Sequence, residues 1–118
     1  MVEAATIQHV AQSVWSSLGP GYSERIYHNA FEVELRKRQL PYETERIIPV
    51  NYEGHNVGNV RADIIIDNRV VVELKSVSKL TPQFRIQIQK YMELTGCDEG
   101  YLVNFPTDKE VVDIEFFS

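Results

Sequence analysis

Val60-Arg61-Ala62-Asp63-Ile64-Ile65-Ile66-Asp67-Asn68-Arg69-Val70-Val71-Val72-Glu73-Leu74-Lys75 is the stretch on which the fold turns. Two β-branched runs flank the turn-forming Asp67-Asn68-Arg69, the pattern of a β-hairpin. Three consecutive valines imply a strand buried on both faces, yet Glu73 and Lys75 close it. Their i, i+2 spacing puts both on one face and Leu74 on the other. Alone, such a pair reads as a solvated Glu–Lys contact at a strand end. Asp63 changes that reading, because it interrupts the partner strand. A three-residue loop pairs Ile66 with Val70 and sets Asp63 opposite Glu73, with Cβ atoms roughly 4.5–5.5 Å apart on one face. A two-residue loop would place Asp63 opposite Val72 and turn Glu73 away. Asn68 tolerates the left-handed conformation that the longer loop needs. Two carboxylates so placed repel, so they must share a proton or hold a cation between them.

Outward from the hairpin, Tyr42 to Tyr52 is rich in β-formers, and Pro49 assigns it to a sheet edge or a bulge. Glu53-Gly54 is a turn, leading to a strand from about Val57 to Ile66. Upstream, Ile7, Val10, Ala11, Val14 and Leu18 recur at helical spacing and predict a helix over residues 4–18. Gly19-Pro20-Gly21 ends it. A second helix runs from an N-cap at Ser23 to about Gln39, with Glu24, Tyr27, Phe31 and Leu35 on one face. Downstream, Thr81 then Pro82 starts a third helix that Gly96 ends, its apolar stripe being Phe84, Ile88, Tyr91 and Leu94. Gly100 to Phe105 and Val111 to Phe117 read as strands. The expectation is an α+β domain over residues 1–118: a sheet with helices packed on it, the number of early strands left open.

Oxygen donors without cysteine or histidine suit Mg²⁺ or Mn²⁺. Asp63 and Glu73 would hold the ion, with waters and the Leu74 carbonyl completing its shell. Lys75, on the same face, would orient a water or stabilise developing charge. Other candidates are weaker. His9, His28 and His55 lack metal spacing and read as surface or capping residues. Cys97 reads as an inert thiol, and Glu43 with Glu45 as a solvated strand face. Gly19-Pro20-Gly21 lacks the lysine and spacing of a phosphate loop.

These segments resemble a known family. Gly21-Tyr22-Ser23-Glu24-Arg25-Ile26-Tyr27 fits the signature of the GxxExxY proteins. Asp63 followed by Glu73-Leu74-Lys75 fits the D…ExK core of the wider PD-(D/E)xK superfamily, with Ala62 where its name-giving proline would stand. Gln87-Ile88-Gln89-Lys90-Tyr91 fits the QxxxY motif of RecB-like members. The resemblance spans roughly residues 4–105. It implies a restriction-endonuclease-like αβββαβ core, a mixed central sheet flanked by helices, here with an extra C-terminal strand. It also implies Mg²⁺- or Mn²⁺-dependent phosphodiester hydrolysis in DNA or RNA. Glu24 would reach the metal or its waters, and Gln87 and Tyr91 would flank the site. On the residues alone, Glu24 is also favoured by the helix dipole and Tyr91 is also a core aromatic.

The formal charge of −5 opposes a nucleic-acid partner, since phosphate contacts favour basic surfaces. Against this, Arg36, Lys37 and Arg38 cluster, as do Lys75, Lys79, Arg85 and Lys90 near the proposed site. The alternatives are a catalytically silent nucleic-acid- or protein-binding module, and a metal enzyme acting on a small metabolite. No apolar run approaches the ~20 residues of a membrane span, and the N-terminus lacks the pattern of a signal peptide. The single cysteine favours a reducing setting, cytoplasmic, or nuclear if the source is eukaryotic or viral. A homodimer is expected from the small surface, with Phe116-Phe117 as a candidate apolar patch.

Overall fold

A computed structural model describes residues 3–118; Met1 and Val2, which open the stretch read above for a leader, lie outside it. The elements are α1 (Ala4–Leu18), α2 (Glu24–Lys37), β1 (Tyr42–Tyr52), β2 (His55–Ile66), β3 (Val70–Lys75), α3 (Pro82–Thr95), β4 (Glu99–Asn104) and β5 (Asp113–Phe117). The strands form one mixed sheet in the order β1-β2-β3-β4-β5. Only β3 and β4 run parallel, and α3 makes the crossover that such a pair requires. Three strands therefore precede α3, which closes the count left open by the sequence.

Strand alternation divides the core into two layers. Ile64, Ile66, Val70, Val72 and Leu74 pack against the buried faces of α1 and α2, including Val10, Trp15, Tyr27 and Phe31. Ile65, Val71 and Leu102 pack on the opposite face, under Ile88 and Tyr91 of α3. β3 is covered on both sides, as three successive valines require. The i, i+2 argument holds with it: Leu74 lies in the α1/α2 layer, opposite the face of Glu73 and Lys75.

Turn chemistry sets the register. Asp67 and Asn68 take left-handed φ values of 54° and 53°, and the Arg69 N–H donates to the Ile66 carbonyl at 3.0 Å. Arg69 is then an extra residue, so the ladder resumes with Val70 opposite Ile66, Val71 opposite Ile65 and Val72 opposite Ile64. Pro49 lies on β1, an edge strand, one residue before a register shift at Val50/Asn51.

Several boundaries differ from the reading of the sequence. β2 begins at His55, because Glu53-Gly54 alone makes the turn between Tyr52 and His55. α2 ends at Lys37, two residues before Gln39 turns left-handed. Ser23 and Thr81 occupy the N-cap positions of α2 and α3, but neither side chain makes a capping bond. Leu94 is 37% exposed and Phe84 only partly buried, so the buried stripe of α3 narrows to Ile88 and Tyr91. His28, expected as a surface or capping residue, is buried within α2; its Nε2 lies 2.9 Å from a Glu32 carboxylate oxygen, not aligned for a hydrogen bond.

The loop before α2 is fastened by the residues of its own motif. Tyr27 is fully buried and stacks on Phe105 at 4.6 Å. Its hydroxyl donates to the Gly19 carbonyl at 2.6 Å and accepts from the Tyr22 N–H at 3.3 Å. Gly21 has φ 111°, open to glycine and strained for other residues. Gly21 thus turns the chain and Tyr27 pins it, which fixes where α2 begins and where Glu24 stands. Tyr27→Phe should cost about 1–1.5 kcal/mol in urea unfolding through the lost hydrogen bonds, with an unchanged far-ultraviolet spectrum.

Candidate active site

The β2–β3 ladder ends at Ile64 and Val72. One step further the side chains take over. The Asp63 N–H donates to Glu73 Oε1 at 3.0 Å, and the Leu74 N–H donates to Asp63 Oδ2 at 2.9 Å. Each carboxylate therefore caps a backbone donor of the other strand, at a fork where the two strands separate. Asp63 and Glu73 face one another as the three-residue loop demands.

The electrostatics of the pair are unfavourable as it stands. Glu73 is 2% exposed. Burial, then the Asp63 charge, pushes its carboxyl well above the ordinary range, and the Asp63 N–H and the Lys75 ammonium only partly oppose this. Neither carboxylate takes part in an ion pair among the described residues. Facing carboxylates at this depth favour a proton or a cation between them.

Lys75 ends β3. Its carbonyl accepts from the Phe105 N–H at 2.9 Å, and its ammonium lies 4.6 Å from the centre of the Phe84 ring. Its charge draws down both the helix-borne Glu24 and the buried Glu73. Glu24 sits on the exposed rim at the first turn of α2. Partial burial raises its carboxyl, Lys75 opposes this, and the Asp63 charge adds to it. Among the described residues no group of three His, Cys, Asp or Glu side chains closes into a metal-binding cluster, so Glu24 is not gathered with Asp63 and Glu73.

From α3, Gln87 Nε2 donates to the Tyr91 hydroxyl at 3.1 Å. Tyr91 is buried, and its hydroxyl is raised above its ordinary value by that burial and then by the Glu73 charge. Gln87 Oε1 is buried with no hydrogen-bond donor among the described residues. The structure thus brings Asp63, Glu73, Lys75, Gln87 and Tyr91 together, with Glu24 at the rim. Leu74 contributes its N–H to Asp63, while its side chain belongs to the core on the other face.

The donor set suits a hard dication. Mg²⁺ is habitually held by one or two carboxylates plus waters and substrate phosphate, and this pair offers oxygen only. A cation would compete with protons for the raised Glu73 carboxyl. Apparent Mn²⁺ affinity is therefore expected to rise with pH above the usual carboxylate range, with proton release on binding. Calorimetry in buffers of different ionisation enthalpy checks this.

Two features were not singled out from the sequence. Asn104, fully buried at the end of β4, accepts from the Val77 N–H and donates to the Val77 carbonyl, both at 2.9 Å. It clamps the chain just beyond Lys75; a buried asparagine closing an apolar strand was its signal. Glu45, read as part of a solvated strand face, is instead bound by the Arg25 guanidinium. The basic clusters are also less available than their count implies. Arg85 forms a two-pronged pair with Glu115, Lys90 pairs with Glu93, and Arg36, Lys37 and Arg38 pair with Glu32 or Glu34.

The sequence profile of the PD-(D/E)XK nuclease superfamily matches residues 2–115. The chain belongs to the PD-(D/E)XK nuclease superfamily. No curated protein matches it. Among solved structures, the protein SSO0001 superimposes with a TM-score of 0.61 at 26% identity, over 80% of this chain and 50% of that one. This chain thus spans about half the length of SSO0001. An alkaline exonuclease from Laribacter hongkongensis, LHK-Exo, superimposes with a TM-score of 0.54 at 12% identity, over 99% of this chain and 71% of that one. The mixed five-stranded sheet with three helices is that of a restriction-endonuclease-like fold. PD-(D/E)XK nucleases generally use divalent metals and act on nucleic acid, and no helix here is long and apolar enough to cross a membrane.

Proposed function

We propose that this PD-(D/E)XK chain is a Mg²⁺- or Mn²⁺-dependent nuclease that hydrolyses phosphodiester bonds in DNA or RNA. The observation that carries the proposal is the reciprocal clamp of the half-buried Asp63 and the buried Glu73, which among the described residues form no ion pair, beside a Lys75 that likewise forms none. We read Gly21, Glu24 and Tyr27 as the signature of the GxxExxY proteins, which this segment resembles, and Gln87 with Tyr91 as resembling the QxxxY motif. The fold shared with an alkaline exonuclease agrees with action on nucleic acid.

Asp63 and Glu73, with the Leu74 carbonyl, would hold the dication, which when bound polarises a phosphate oxygen and acidifies a coordinated water. Lys75 supplies positive charge to the phosphoryl oxygens as negative charge accumulates on them. Glu24, at the rim, orients a water on the side facing α2. Gln87 Oε1 accepts a hydrogen bond from a water or substrate group entering the site, the donor it lacks among the described residues. The buried Tyr91 hydroxyl fixes the Gln87 amide.

The competing reading is a silent binding module on the same fold. The net charge of −5 and the paired state of most clustered basic residues favour it. End-labelled single- and double-stranded DNA and RNA, incubated with protein and Mn²⁺ or with EDTA, separate the two. The nuclease reading expects cleavage that needs Mn²⁺ and falls to background in Asp63→Ala. Equal inertness of wild type and variant, with retained binding of the labelled strands, would establish the module. The buried, solitary Cys97 fits a reducing compartment. Phe116, half exposed on an edge strand, offers a contact for a homodimer, which light scattering would detect.

A further inference from the structure

The ladder between β1 and β2 has a gap at one position. Thr44 pairs with Ile64 and Arg46 with Ala62, but Glu45 and Asp63 between them are not paired. At that step Glu45 has φ 55°, left-handed backbone inside a strand. An extended residue there would compete for the Asp63 backbone groups through the ladder. Asp63 instead gives its N–H to Glu73 Oε1 at 3.0 Å. A left-handed conformation is uncommon for glutamate and persists only where surroundings over-determine it. Those surroundings are visible: the Arg25 guanidinium binds the Glu45 carboxylate, and Arg61 approaches it at 3.8 Å. Arg25 directly follows Glu24 in α2, so the same contact ties the start of that helix to the kinked strand.

We propose that Glu45 is a positioning residue for the carboxylate pair, its left-handed backbone opening the β1–β2 ladder so that the Asp63 N–H can hold Glu73. The proposal rests on the metal-site reading for its consequence but not for its geometry. The Arg25–Glu45 contact keeps the kink in place. Glu45 touches neither the proposed metal nor the substrate; it acts through the backbone of Asp63.

Two substitutions separate backbone from side chain. Glycine adopts left-handed φ without strain, whereas valine disfavours it and belongs in extended strands. Glu45→Gly should keep Mn²⁺ affinity and cleavage rate within about threefold of wild type. Glu45→Val should let the ladder close, weakening Mn²⁺ binding about tenfold or more, while the protein stays folded. The amide of Asp63, followed by ¹⁵N–¹H spectroscopy and hydrogen exchange in metal-free protein, should shift in Glu45→Val and stay near its wild-type position in Glu45→Gly. A purely structural role would not produce that contrast. The proposal is overturned if the Asp63 amide is unmoved in Glu45→Val, or if folded Glu45→Gly loses as much as Glu45→Val. Should wild type itself fail to bind Mn²⁺, the metal reading falls, while the amide comparison still decides whether Glu45 positions Glu73.

Discussion

Glu73→Gln is expected to make the metal-free protein more stable and its metal-dependent cleavage undetectable. Glutamine keeps an oxygen to accept from the Asp63 N–H and supplies an NH₂ that can donate to the Asp63 carboxylate. It removes a carboxylate that is 2% exposed, forms no ion pair among the described residues and faces another carboxylate. Replacing repulsion by a neutral hydrogen bond should contribute about 1–3 kcal/mol, a rise of several degrees in Tm for a chain of this size. The pH dependence follows from the raised Glu73 carboxyl. A carboxyl whose folded pKa lies above its unfolded value contributes its full stability below the unfolded pKa and loses it as pH rises through the folded one. In EDTA, wild type should therefore lose stability relative to Glu73→Gln as pH climbs from about 4 upward. Thermal melts across pH check the sign. Equal melting of the two proteins at all pH values would mean that the pair is not strained.

Lys75→Gln should lower the cleavage rate about 10²–10³-fold at saturating Mn²⁺. The lysine ends β3 with its carbonyl held by the Phe105 N–H, and Asn104 pins the chain two residues on. Its backbone is thus fixed before the side chain acts, and the ammonium rests over Phe84 and forms no ion pair among the described residues. Lys75 also lowers Glu24 and Glu73, so its loss makes both carboxyls harder to ionise. Apparent Mn²⁺ binding in Lys75→Gln should need a higher pH, while at high pH its affinity returns close to that of wild type. Single-turnover rates and Mn²⁺ titrations at two pH values separate the contributions. A rate unchanged by the substitution would remove Lys75 from the chemistry.

Much of this was legible because it depends on period and turn chemistry. The β-branched runs and the Asp67-Asn68-Arg69 loop fixed the parity of Asp63 and Glu73, and one residue of loop length decides that parity. Thr81-Pro82 and Gly96 bounded α3 because proline and glycine act locally. What the sequence hid depends on long-range contact. Glu45 looks like any strand glutamate until Arg25, twenty positions away, is seen to hold it. His28 reads as a surface residue because a helix face does not reveal how deeply its neighbours bury it. Of the basic clusters, only the Arg85–Glu115 pair depends on a distant strand; the others are exposed i, i+3 and i, i+4 pairs along their own helices, which the spacing already allowed.

The most direct test is a crystal of the wild-type protein grown with Mn²⁺ and measured at a wavelength where manganese scatters anomalously. One peak bridged by a carboxylate oxygen of Asp63 and one of Glu73 is the predicted outcome. Full-occupancy protein at millimolar Mn²⁺ with no peak there, and with the two side chains still hydrogen-bonded only to each other's strands, would contradict it.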